Sequence, residues 1–520
     1  MTDTTSADLN ARVTAAYDAV TDGARAEKVA KQHARGKKTA RERIAELAYG
    51  GFYEFGALAG PGPAQQGAAP LVAPGDGVVT GVGYVDGRPV VIAAFDFTVL
   101  GGSNGATGMA KLDRCAERAL NDGIPLVMLM DGGGHRMQEA LDSRLAAPGS
   151  RLMLRLTDLS GQVPLVAAMM GPGFGAPANL AACCDFVTII RGTGTIGMSS
   201  SPLVKAATGE DLTNDEIGGA DLQAQRGVVD FVGDDETEVL DSIRAYLSYL
   251  PSNADDRPIF ATAPFEPGDT AGRLDELVPP EGKTAYDVRA VIEGLADVDT
   301  VFEIKSAHAP NVVTTVIRVG GRPMGVVANQ PTHWGGALDA AACEKAAHFV
   351  AVCDAFGLPL LVLIDLPGFL VGAGAEESGL VRRSARLGYE LGNATVPRFV
   401  IVTRKAYGAA YIVMGGGRSI EADLSLAWPT AEICAIPIES AVDLAFRSQY
   451  EAADDPAGHR ADLITLFQAN VDPLLAADSF GIDDVVLPSA TRGLLIEALG
   501  RVSPRRAPRV PGKRRSISPI

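Results

Sequence analysis

The sequence predicts an α/β fold built from two similar halves. Three observations carry that prediction. Short apolar runs repeatedly end in glycine-rich turns and lead into helical patterns, as strand–turn–helix units do. At 520 residues the chain exceeds what one ordinary core encloses. Finally, a set of landmarks occurs twice. Gly87-Arg88-Pro89 and Gly321-Arg322-Pro323, Gly101-Gly102 and Gly335-Gly336, Lys111 and Lys345, Pro125 and Pro359, and Asp131 and Asp365 are each 234 residues apart. Val163-Pro164 and Val396-Pro397, and Gly175-Ala176 and Gly408-Ala409, follow at 233. Two copies give too few repeats, at too long a period, for a solenoid. The expected domains are residues 1–255 and 256–520.

Composition narrows the function. Hydrophobic residues make up 47% and charged residues 21%, a globular balance. A net charge of -17 argues against a nucleic-acid footprint, and an anionic substrate would need a local basic patch. The six cysteines form no C-x-x-C pair, which disfavours zinc and a disulfide framework and leaves buried thiols as the expectation. MTDTTSADLN has no signal-peptide core, and the longest apolar runs, such as Leu358 to Ile364, are too short to cross a bilayer. No membrane association and a cytoplasmic location are expected.

In chain order, residues 8–48 read as helix. Within them Lys28, Lys31, Arg35, Lys37, Lys38, Arg41 and Arg43 form a basic cluster. It fits either a solvated face paired with Glu27 and Glu42 or a phosphate-binding segment. Gly60 to Gly75 reads as loop, and Gly77 to Val99 as a hairpin turning at Asp86-Gly87. A loop at 101–108 precedes an amphipathic helix, Lys111 to Leu120, and a buried strand, Ile124 to Met130. Ser143 to Gln162 looks helical, and Val163-Pro164 opens a strand to Met170. GPGFGAPANLAACCD follows as a turn into a helix. LPSNADDRP marks the boundary between halves, Glu266 to Gly282 a linker, and Pro504 to Ile520 a tail or an arm.

Four turns are candidates for chemistry: Asp131–His135, Gly171–Ala178, Leu366–Gly372 and Tyr407–Tyr411. Glycines let the backbone turn sharply and bare its N–H groups. Gly132–His135 and Gly408–Ala410 end strands and are expected to open helices, where N–H groups and the helix dipole both favour an anionic oxygen such as an enolate. No G-x-S-x-G, H-E-x-x-H or Walker A motif occurs. His135 closes the glycine run, either as a plain polar residue or as an acid–base group.

Over nearly its whole length the chain resembles the carboxyltransferase (β) subunits of biotin-dependent acyl-CoA carboxylases of the propionyl-/acetyl-CoA type. The segments that carry the resemblance include KQHARGKKTARERI, DGVVTGVGYVDGRPV, DFTVLGGS, YDVRAVIEGLAD, CDAFGLPLLVLIDLPGFLVG, ATVPRFVIVTRKAYGAAYIVMGG and AWPTAEI. The resemblance implies two crotonase-like domains, the first for acyl-CoA and the second for biotin. It implies homohexamers and a separate biotin carboxylase/carrier subunit, since no A-M-K-M-like biotinylation sequence occurs here. It also implies carboxyl transfer from carboxybiotin to the α-carbon of acyl-CoA.

By that resemblance Gly133 and Gly134 form one oxyanion hole, for the thioester enolate. Ala409 and Ala410 form the other, for the biotin ureido oxygen, flanked by Gly408 and Tyr411. Arg35, Lys38 and Arg41 lie near the CoA phosphates, and Gly102 on the acyl side; no metal is implied. The family's D-S-G-G-A-R-I-Q-E-G reads D-G-G-G-H-R-M-Q-E-A here, and its K-A-Y-G-G-A-Y reads K-A-Y-G-A-A-Y. His135, in place of the family's small Ala, and Ile412, where propionyl-type members carry Asp, are expected to alter acyl preference. Running the half-reaction backwards as a malonyl- or glutaconyl-type decarboxylase is an alternative, and so is a non-catalytic scaffold.

Overall fold

The computed structural model describes residues 5–62, 71–141, 143, 151–262 and 265–505. The chain divides into two compact units between Asp256 and Arg257. The first contains β1 (Phe52–Phe55), β2 (Val78–Val85), β3 (Arg88–Phe95), β4 (Leu126–Gly132), β5 (Leu165–Phe174), β6 (Phe186–Ile190), β7 (Thr195–Gly197) and β8 (Phe231–Gly233). Its sheet runs β1-β2-β3-β4-β5-β6-β8, with β7 added beside the far end of β5. The second contains β9 (Phe302–Ile304), β10 (Val312–Val319), β11 (Arg322–Asn329), β12 (Leu360–Leu366), β13 (Arg398–Tyr407), β14 (Leu424–Ala427), β15 (Glu432–Cys434) and β16 (Asp484–Val485). It repeats the order strand for strand, with β15 on β13.

Each sheet begins as an antiparallel meander and continues parallel from its third strand. The meander follows from a two-residue turn. Asp86 and Gly87 sit at φ 48° and 78°, and Gly320 and Gly321 at 58° and 76°, the left-handed pair that suits a tight hairpin. The parallel strands are apolar on both faces because helices cover them. In the first unit Val91, Leu126 and Leu165 pack with Leu112, Cys115, Ala116 and Ala119, one stripe of the helix Ala106–Asp122. That helix ends at Gly123, φ 63°. In the second, Val326, Leu361, Phe399 and Trp428 form the corresponding core.

The recurring landmarks acquire physical reasons. Arg88 donates to the Leu247 and Leu250 carbonyls, which end the helix Glu236–Tyr249. Arg322 does the same for Leu499 near the end of the helix Pro488–Arg501. Lys111 and Lys345 are buried and donate to backbone carbonyls, of Gly75 and Val78 and of His308 and Val312 respectively.

Several expectations need correction. The continuous helix over 8–48 is four pieces, Ser6–Asp18, Asp22–Arg25, Ala26–His33 and Ala40–Leu47. Gly36, φ 72°, and the Thr39 capping box break the basic stretch. The expected linker belongs to the second core, into which it buries Leu274 and Val278. Of the helix expected over 143–162, the described part is Leu152–Leu159; residues 144–150, and the tail from 506, lie outside the described residues. All six cysteines are free thiols; four are buried, and Cys183 and Cys434 are half-buried. Among the described residues no helix is long and apolar enough to cross a membrane.

Candidate active site

The glycine run lies where β4 ends. Asp131, fully buried just before it, accepts from Lys37 (2.6 Å), Arg43 (2.8 Å) and Gln32 (3.3 Å). Burial lowers the Lys37 pKa, and the Asp131 charge opposes that shift. Half of the basic segment's interest thus lies beneath the site. Lys37 and Arg43 anchor the strand end, and Arg43 also spans to Glu236. Lys38 pairs with Glu46, and Arg41 with Glu54. Arg35 stays exposed, 6.0 Å from the Phe97 ring centroid and without a carboxylate partner among the described residues. Of the three cations expected at the CoA phosphates, Arg35 is the one left uncommitted.

A second loop clamps the run. Gly102, φ 65°, lies so close to β4 that a Cβ there would overlap the Asp131 carbonyl. The Gly133 N–H donates to the Gly101 carbonyl (3.3 Å) and the Asn104 N–H to the Gly134 carbonyl (2.8 Å). The Arg136 N–H then returns to Asn104 (2.8 Å). Arg136, fully buried, joins Asp76, Glu139 (2.8 Å) and the Ser103 carbonyl (3.1 Å). Glu139 and Asp76 in turn accept the Ala106 and Gly108 N–H groups at the start of the following helix. The sequence reading missed this clamp; the charged pair Arg136/Glu139 within a glycine-rich turn is the one local sign of it.

The two N–H groups of the expected oxyanion pair differ in their partners. The Gly133 N–H is spent on Gly101, whereas Gly134, φ 89°, has no acceptor for its N–H among the described residues. The run opens only a four-residue helix, Met137–Ala140, so the dipole adds little there. A longer helix, Ala176–Ala182, starts beside it where β5 ends. A Cβ on Gly134 would stand 2.9 Å from the Phe174 carbonyl, one residue before that helix's N-cap, Gly175. First-turn N–H groups have no partner within a helix. Ala176 and Ala178 therefore offer donors next to Gly134, and Pro177 between them offers none. His135 is exposed at the mouth of this turn.

The second unit repeats the geometry with different side chains. Leu338 bridges Phe369 as Asn104 bridges His135. A Cβ on Gly336, φ 84°, would overlap the Asp365 carbonyl. Asp365 is buried against Arg404 and Lys405, both 3.0 Å away and both from the neighbouring strand β13. Directly after β13, the helix Gly408–Val413 presents the Gly408, Ala409 and Ala410 N–H groups; Ala409 is exposed and Ala410 buried. Ile412 is exposed. The Tyr411 ring lies against Gly416, where a Cβ would overlap it, and burial pushes its hydroxyl up to about 12. Gly416 and Gly417 therefore make room for Tyr411, and Gly415 for Ile420.

Comparison with known proteins identifies this arrangement. Residues 31–516 match the carboxyl transferase domain family. The carboxyltransferase subunit of propionyl-CoA carboxylase from Haloferax mediterranei is 40% identical, over 92% of this chain and 93% of its own. The alpha subunit of methylmalonyl-CoA decarboxylase from Veillonella parvula is 35% identical, over 94% of this chain and 95% of its own. The transcarboxylase 12S crystal structure, a hexamer with methylmalonyl-coenzyme A and methylmalonic acid bound, superimposes with a TM-score of 0.90 at 36% identity, covering 99% and 98% of the two chains. The two parallel-rich sheets are thus the crotonase-like pair, and the chain belongs to the carboxyl transferase domain family, enzymes that transfer a carboxyl group on acyl-CoA thioesters.

Proposed function

We propose that this carboxyltransferase moves a carboxyl group between biotin, carried by a partner subunit, and the α-carbon of an acyl-CoA. The observation that carries the proposal is the duplication of one device: a strand-end glycine turn beside a helix start with unpaired N–H groups, once in each unit. A reaction with two anionic oxygens needs two such holes.

In the first unit the Gly134 N–H, supported by those of Ala176 and Ala178, holds the thioester oxygen as negative charge develops on it. Arg35 attracts the CoA phosphates, and His135 borders the acyl group. In the second unit the residues fit biotin: Ala409 is exposed, its N–H and that of Ala410 point out of the first helical turn toward a ureido oxygen, and Ile412 supplies apolar surface. Biotin brings the transferable carboxyl group. The Arg136 clamp and the Asp131 and Asp365 clusters keep the turns rigid, so the donors need no reorganisation when charge develops.

The partner would be a biotin carboxylase/biotin carrier subunit, the assembly a homohexamer and the compartment the cytoplasm. The Veillonella relative favours one further reading, the same transfer run toward decarboxylation of a malonyl-type thioester. A scaffold without activity would not need both turns intact.

The test uses the purified chain with free biotin or biocytin and a panel of malonyl-, methylmalonyl- and longer or hydroxylated malonyl-CoAs, following loss of the carboxyl group by mass. Biotin-dependent loss from one thioester is expected. Loss from none of them, even with a carrier subunit added, would sink the proposal.

A further inference from the structure

We propose that Trp334 is a biotin-binding residue whose indole forms the apolar wall of the second unit's site. This rests on the reading that the second unit takes biotin. The chain has two tryptophans. Trp428 is fully buried and donates to Thr491 (3.0 Å). Trp334 is 61% exposed, on the loop that follows β11. It also sits at φ 51°, where a bulky L-residue is rare and strained.

The strain is held by the surrounding turn. The Gly336 N–H donates to the His333 carbonyl (2.9 Å) and the Ala337 N–H to the Trp334 carbonyl (3.1 Å). The Asn329 side chain donates to the Gly336 carbonyl (3.1 Å). Gly335 and Gly336 take positive φ beside it, and a Cβ on Gly335 would touch Pro367. The Trp334–Gly336 turn and the helix Gly408–Val413 both pack against β12. The indole and the Ala409/Ala410 donors therefore belong to the same end of one sheet. The equivalent residue of the first unit is Leu100, at φ 48° and 37% exposed. The backbone device is shared, but only the second unit fills it with a flat aromatic ring.

A ligand of this site should combine an apolar, compact ring system with one hydrogen-bond-accepting oxygen. Biotin's fused bicycle, apolar on its sulfur side and carrying a ureido carbonyl, has that chemistry. Strain retained at a solvent-facing aromatic is the pattern expected where a side chain is held ready for a ligand.

The experiment titrates the full-length protein with free biotin and reads tryptophan emission. A saturable change is expected in the wild type and none in Trp334→Phe, where only Trp428 reports. In biotin-dependent decarboxylation of malonyl-CoA-type thioesters, Trp334→Ala should raise KM for biotin about fivefold and leave KM for the thioester unchanged. Trp334→Gly should lose biotin affinity equally yet raise Tm, because glycine accepts the left-handed conformation. An emission change that survives in Trp334→Phe would overturn the proposal. So would an unaltered KM for biotin in Trp334→Ala, while biotin-dependent turnover of the wild type would leave the parent reading standing. Wild-type protein that responds to no biotin at all would overturn both.

Discussion

A backbone N–H is the smallest unit of this protein's chemistry, and its availability depends on what the next residue does with it. Ala409 lies in the first turn of its helix, so its N–H has no intrahelical claim. Proline is tolerated in a first turn, which makes Ala409→Pro a clean deletion of that donor. Turnover should fall roughly 100- to 1,000-fold, with acyl-CoA binding retained by calorimetry. A variant with undiminished turnover would remove Ala409 from the site. The same substitution at Gly134 would be ambiguous, because φ 89° is closed to proline and the loop itself would be displaced. His135 is a side-chain question. Exposed at the turn's mouth, it should set acyl preference, so His135→Ala should change the ranking of kcat/KM across an acyl-CoA panel. An unchanged ranking would assign it no part in selection.

Among the elements, the basic segment divides into two roles. Arg43 is buried between Asp131 and Glu236, so Arg43→Ala would leave the buried Glu236 without its cation and Asp131 with Lys37 alone. A loss of about 3–5 kcal/mol in urea unfolding is expected. Arg35 is exposed and uncommitted, and Arg35→Ala should leave stability unchanged. It should instead raise KM for acyl-CoA several-fold at low salt, an effect that fades as salt is added. Equal stability losses in the two variants would refute this division. Composition showed seven cations in nineteen residues but could not separate them, since which cation is buried depends on where the helix breaks at Gly36 and Thr39.

At the scale of the molecule, two copies of one fold have drifted apart in charge. In each unit two aspartates cap neighbouring strands from below. Asp185 accepts from Leu165 and Asp230 from Val187; Asp423 accepts from Arg398 and Asp483 from Ser425. Arg418 pairs with Asp483. In the first unit burial, helped by the neighbouring Asp230, pushes Asp185 up from 3.8 to about 7. The folded protein then holds that proton more tightly than the unfolded chain. Stability conferred by the protonated form is present below about pH 4 and is lost as pH rises to about 7. Asp185→Asn should therefore stabilise the protein at pH 8 and much less at pH 5, read as urea midpoints. The same gain at both pH values would contradict the shift.

Much of this was legible in the linear chain because it depends on local rules. The first unit's hairpin was visible as Asp86-Gly87, since left-handed turn residues are written in glycine and aspartate. The repeat was visible because close backbone approaches, such as Gly102 to Asp131, tolerate no Cβ and so preserve glycine at matched positions. The family was legible from contiguous motifs. What the chain alone left open were partnerships between residues distant in sequence. Arg136 with Asp76, Lys37 and Arg43 with Asp131, and the loss of the Gly133 N–H to Gly101 are examples of such long or crossing contacts. Whether an N–H, a cation or an indole is free is decided only when strands distant in sequence are laid side by side, because a buried polar group takes whichever partner the packing brings to it.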